Sequence, residues 1–136
     1  MLSILKNLPP FISGIICGLI LFQSVVVAPS INNLLQAEDA STYLRYIWPK
    51  FFIIISVLSI FSVITIYSFN SNQSFAKIAS ILTLIFMLVC YIIIPTMNTA
   101  RDSANDSLFL ILHSVSIGLT IIALILNLLL FIKWKF

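Results

Sequence analysis

The sequence predicts an all-α membrane protein: a four-transmembrane-helix bundle with a short interfacial helix after the first span. Three observations predict it. Of the 136 residues, 61% are hydrophobic and only 8% charged, with a mean hydropathy of +1.18, whereas soluble domains carry about 25% charged residues. Four apolar runs are each long enough to cross a bilayer, which takes about 20 helical residues rising ~1.5 Å apiece. The polar breaks between those runs hold all the acidic residues, Glu38, Asp39, Asp102 and Asp106. The length allows a single transmembrane domain, residues 1–136.

The first span covers about residues 9–28. Lys6, the apolar stretch and Val26-Val27-Ala28 imitate a secretory signal. Pro29, directly after the would-be cleavage site, disfavours cutting, so the span is expected to be retained. The longest break, Pro29 to Pro49, carries Leu34, Leu35, Ala40, Leu44 and Ile47 at loosely helical spacing, which predicts the amphipathic interfacial helix. The second span covers about 50–69 and the third about 76–95, joined by the polar turn Ser68 to Ser74. A second polar break, Pro95 to Asp106, leads to the fourth span at about 107–132.

Lys6, Lys77, Lys133 and Lys135 gather at one end of the bundle; Arg45, Lys50 and Arg101 gather at the other, with all the acids. The balance of basic residues favours cytoplasmic termini and a multi-pass protein of a bacterial inner membrane. Trp48 and Trp134 suit the two interfacial belts. The net charge of +3 is dispersed, so the expected partner is the lipid bilayer and not nucleic acid.

Lipid is as apolar as leucine, so membrane helices associate through small residues and buried polar contacts. Gly14 and Gly18 form a GxxxG pair for helix packing or for a homo-oligomer or larger membrane complex. Ser56, Ser59 and Ser62 mark a seam on the second span, Ala76, Ser80, Thr83 and Cys90 one on the third, and Ser116, Thr120, Ala123 and Asn127 one on the fourth.

Counted inward from the acidic end, Gln23, Ser56, Cys90, Tyr91 and His113 fall at one depth, ~8–10 Å below that surface at the helical rise. They form a candidate polar layer. His113 is the only histidine, and an ionisable group inside a span marks a functional site by default. Its bland alternative is a neutral imidazole donating to Gln23 or a carbonyl. Arg101, Asp102 and Asp106 form a candidate rim, which serves either helix capping or a charged ligand. No metal site is expected, since Cys17 and Cys90 are far apart and a lone histidine is a poor site. Both thiols are expected free. No Walker loop, HExxH or Ser/His/Asp set is present, so no catalytic residue and no enzyme activity is expected. No cofactor is predicted, with haem held by His113 as the exception to test.

The chain resembles the bacterial domain-of-unknown-function family 4149, related to transmembrane-protein-205-like proteins. The resemblance runs through Phe22-Gln23-Ser24 to Ala28-Pro29, then Ile47-Trp48-Pro49-Lys50-Phe51-Phe52. It continues through Pro95, Arg101-Asp102, Phe109, Leu112-His113 and Ser116. Ser114 and Val115 stand where relatives often carry glycine after the histidine, and Thr120 stands where asparagine is expected. The resemblance implies a four-helix membrane protein without an agreed activity. Three functional readings stay open: a non-enzymatic bundle binding or passing a small solute or ion, a haem- or quinone-linked redox protein using His113, and a structural subunit of a membrane complex.

Overall fold

A computed structural model describes residues 2–135, which are almost wholly helical. A short helix α1 (Leu2–Lys6) precedes α2 (Leu8–Phe22). A π-helical turn at Gln23–Val27 follows, then α3 (Ala28–Leu34), α4 (Ala37–Phe69), α5 (Ser74–Asp102) and α6 (Asp106–Lys133). Four stretches are long and apolar enough to cross a membrane: 8–34, 37–69, 74–102 and 106–133. The chain is a multi-pass membrane protein. In the bundle α4 packs against α5, α5 against α6, and α2 against both α4 and α6.

Each helix runs longer than its apolar run at the acidic end. The amphipathic stretch after the first span is helical but not a separate element: residues 37–48 form the first turns of α4, continuous with the second span. Pro49 does not stop that helix. Its missing N–H leaves one carbonyl, that of Arg45, without a helical donor, a defect that membrane helices tolerate when neighbours or water compensate. The chain break falls earlier, where Leu35 and Gln36 are extended before the helix restarts. Pro95 sits inside α5 in the same way.

Pro29 has a further consequence in the first span. Just before it the N–H of Ala28 bonds back to Gln23 O, five residues away, and not to the α-helical partner. The extra residue this π-turn accommodates rotates α3 relative to α2. Three of the four spans therefore carry a proline near the acidic end, and only α6 lacks one.

The core lies between the facing seams. Ile16, Phe52, Ile55, Met87 and Cys90 are almost completely buried near mid-bundle, and Ile66, Ala76, Ala79 and Leu130 form a second cluster towards the lysine end. Small and hydroxylated residues let α4 and α5 approach: Ser59, Ser62, Ser80 and Thr83 are all buried, and Ser62 and Ser80 share a hydrogen bond of 2.9 Å. Asn127 ties three helices together. Its amide donates to Thr83 Oγ1 at 2.8 Å, and its backbone carbonyl accepts from Ser13 of α2.

Candidate functional site

A cavity of about 440 Å³ opens at the acidic end. The start of α4 supplies Arg45 and Trp48, α5 supplies Met97, Asn98 and Arg101, and α6 supplies Phe109 and His113; Asn32 of α3 closes one side. The lining mixes these polar and charged side chains with apolar ones, among them Leu35, Leu44 and Ile94. No carboxylate lines it.

The charges around its mouth are ordered by two contacts. Arg45 on α4 pairs with Asp102 on α5, Nη1 to Oδ2 at 3.1 Å and Nη2 to Oδ1 at 2.5 Å. That fork spans the two helices, and because both groups are exposed its strength is screened by salt. The Arg101 guanidinium lies over the Phe109 ring, 5.0 Å from its centroid, a cation–π contact. His113, one turn further along α6, stacks on that same Phe109 ring: the two rings are 5.5 Å apart and nearly parallel, at 10°. A residue four positions on lies on the same helix face, so the stack follows directly from the Phe109/His113 spacing.

A second, smaller cavity of about 170 Å³ lies beside the first. Trp48, Met97 and His113 line both. Below them the second cavity is walled by Ile20 and Leu21 of α2, Phe52 of α4 and Ser116, Thr120 and Leu124 of α6. Trp48 is half-buried, stacked on Phe52 at 5.7 Å and edge-on to Phe51 at 5.6 Å. These aromatic contacts fix the indole as a wall between the two spaces.

The residues singled out in the sequence are dispersed by this geometry. Of the polar layer, His113 alone lines either cavity. It is exposed on the cavity wall and makes no hydrogen bond to Gln23. Gln23 is buried, and its Nε2 finds no partner among the described residues. Ser56 Oγ turns back to Phe52 O of its own helix at 2.8 Å. Cys90 is buried, with Sγ 3.8 Å from Ser116 O, and Tyr91 is exposed on the outer face of α5. Equal depth along parallel helices fixes height and leaves the direction of each side chain open.

At the rim, Arg101 and Asp102 take the two roles just described, whereas Asp106 sits in the first turn of α6 beside the positive helix end. The cap itself is Asn105, whose Oδ1 accepts from Leu108 N at 3.1 Å. Gly14 and Gly18 are both exposed; a Cβ at Gly14 meets only the Phe131 ring at 3.9 Å, and Gly18 has nothing within 4 Å. Cys17 and Cys90 are free thiols. Among the described residues no three His, Cys, Asp or Glu side chains are grouped to hold a metal.

Trp48, Met97, Asn98 and Arg45 are the wall residues that residue chemistry did not single out as a site. The prolines were the available signal. Helices interrupted near one membrane face commonly border a binding site, and Pro29, Pro49 and Pro95 all flank this cavity's walls.

Comparison with known sequences decides the family. Residues 11–106 match the family described as "Domain of unknown function (DUF4149)". The chain belongs to the DUF4149 family. Its similarity extends to an uncharacterised protein of Aquifex aeolicus (strain VF5), 29% identical over 114 residues that cover 82% of each chain. No solved structure matches the chain. The DUF4149 region takes in Trp48, Met97 and Arg101 and ends at Asp106, so Phe109 and His113 complete the cavity from beyond it.

Proposed function

We propose that this DUF4149 protein is a non-enzymatic binding protein that takes a small solute into the cavity at its acidic end. One observation carries the reading: a space of about 440 Å³ lined by two arginines and the rings of Trp48, Phe109 and His113, with no carboxylate in its lining. That size falls within the ~300–1,000 Å³ typical of ligand sites, which are mostly apolar with a few placed polar groups. Binding is favoured over passage. Below the cavity Phe52, Ile55, Ile16 and Met87 close the bundle axis, each 2% exposed or less. A solute that enters at His113 meets a filled core along the bundle axis.

The test uses Trp48 as a built-in reporter. In a Trp134→Phe protein it is the sole tryptophan, and iodide serves as a small anionic probe added from the aqueous phase. Iodide is expected to quench Trp48, and Arg101→Gln to weaken quenching by iodide but not by neutral acrylamide. Trp48 emission indifferent to both quenchers would overturn the reading.

Met97 shares both cavities with His113, and this favours a second reading in which the pair binds haem, as His/Met sets do elsewhere. A Soret band in freshly purified protein supports it, and a spectrum after haem addition identical to that of free haem in the same detergent refutes it.

We further infer a bacterial inner-membrane location with the lysine end in the cytoplasm. Lys6, Lys77, Lys133 and Lys135 lie at that end, as the positive-inside rule favours. Reporter fusions at the C-terminus check it: a cytoplasmic reporter is expected to be active and a periplasmic one silent.

A further inference from the structure

The contacts between α2 and α6 change character along their length. From the lysine end upward the two helices are closed together. Trp134 Nε1 donates to Asn7 Oδ1 at 3.4 Å, the Phe131 ring lies over Gly14, Ser13 Oγ donates to Asn127 O, and Cys17 Sγ approaches Leu124 O at 3.8 Å. The next turn up should pair Ile20 and Leu21 with Thr120 and Ile121. Instead, all four line the smaller cavity. The helices have parted.

The gap opens sideways. Leu21, Ile117 and Ile121 line the cavity and are also 47–50% exposed on the outer surface, the surface that faces hydrocarbon in a membrane. Leu124 marks the bottom of the gap and His113 its top. Eleven helical residues separate them, a rise of about 16 Å, which is about half the ~30 Å hydrocarbon thickness of a bilayer. At its top the groove adjoins the larger cavity, and Trp48, Met97 and His113 line both. That upper chamber is cationic: Arg45 is engaged by Asp102, and Arg101 has no acidic partner among the described residues.

We propose that the occupant of the site is an anionic membrane lipid, its phosphate held at Arg101 and one acyl chain leaving through the α2–α6 gap. The proposal rests on the binding reading above and names its ligand class. Three features converge on it. The chamber that carries the arginines and the apolar groove adjoin across Trp48, Met97 and His113, which places a head-group site next to a chain site. The groove runs inward from His113 by about 16 Å, and the larger cavity above it reaches the acidic end, so a head group at Arg101 leaves its chain pointing towards the membrane interior. The charge at the head end is positive without a lining carboxylate, which favours an anionic head over a zwitterionic one. A water-borne solute has no use for the lateral opening.

Brominated lipids test this directly, because bromine quenches tryptophan only at contact. The Trp134→Phe protein is placed in phosphatidylcholine vesicles containing a minor fraction of phosphatidylglycerol brominated in mid-chain, or the same fraction of identically brominated phosphatidylcholine. Phosphatidylglycerol is expected to quench Trp48 with about fivefold higher apparent affinity, the factor one surface arginine contributes against anionic lipid. Arg101→Gln is expected to bring the two lipids to parity. Ser24 of the π-turn also lines the groove, and Ser24→Phe, or Ile121→Phe on the opposite wall, is expected to remove the preference by filling it. Equal quenching by the two lipids overturns the proposal. So does a preference that survives both groove-filling variants, since that preference belongs to the annular surface. Iodide quenching with no lipid preference leaves the binding reading standing and the lipid refuted, whereas loss of both signals refutes the two together.

Discussion

Asn127 offers the sharpest test of how the bundle holds together. Its Nδ2 donates one hydrogen to Thr83 Oγ1 and the other to Ala123 O, both at 2.8 Å, and the side chain is almost fully buried. Thr83 in turn donates its own hydroxyl to Ala79 O at 2.8 Å. The two partners are therefore unequal. In Asn127→Leu the Thr83 hydroxyl keeps its donor contact, and the loss is one interhelical bond and one bond to a carbonyl of the same helix. In Thr83→Val an amide hydrogen is left buried and unpartnered, which adds its desolvation penalty. The coupling between the two sites is expected near 0.6 kcal/mol and below about 1.7 kcal/mol, the range for interhelical bonds in lipid. Thr83→Val is expected to cost about 1 kcal/mol more than that coupling. Reversible unfolding in mixed micelles of the wild type, both single variants and the double variant gives the cycle. A coupling indistinguishable from zero, or a Thr83→Val protein as stable as wild type, refutes the pinning role assigned to Asn127.

Three further outcomes are expected. Ala104 has φ of 54° in the α5–α6 turn, so Ala104→Gly should raise stability by about 1 kcal/mol, the cost of a left-handed conformation to a residue with a Cβ; an unchanged or lower thermal midpoint contradicts this. Gln23 Nε2 is buried without a partner among the described residues, so Gln23→Leu should stabilise the fold by ~1 kcal/mol, and destabilisation would mean that the amide is bonded in the membrane. Asp102→Asn should leave thermal stability unchanged at high salt, because its pair with Arg45 is exposed; a large loss there would show that the fork holds α4 to α5.

The four spans were legible because composition and run length alone settle helices in lipid: backbone groups there must bond internally, and a helix does so locally. The small-residue seams were legible for a related reason. Ser59, Ser62, Ser80 and Thr83 are buried, and lipid gives hydroxyls no better place to be. The extension of α4 through Pro49 was not legible from propensity, since proline normally marks a helix boundary. The Arg45–Asp102 fork, which ties this part of α4 to α5, acts against that local preference.

The site was legible only in part. His113 and Arg101 stood out by chemistry and both line the cavity. Gln23, Ser56, Cys90 and Tyr91 stood out by depth, which says nothing of azimuth; Tyr91 faces outward, and Ser56 bonds its own helix. Trp48 and Met97 were hidden because an interfacial tryptophan and an apolar methionine have ordinary places in any membrane helix. Their role comes from the parting of α2 and α6, a tertiary feature that no single segment records.

The central claim is a cavity that admits a ligand from the acidic end and stops at the bundle core. Its most direct test is the reactivity of introduced cysteines towards a membrane-impermeant anionic thiol reagent, in a Cys17→Ala, Cys90→Ala background. Asn98→Cys and His113→Cys are expected to react within the folded protein, whereas Ile55→Cys and Thr83→Cys stay protected until it unfolds. Protection at all four positions contradicts an open cavity, and reaction at all four contradicts a closed core.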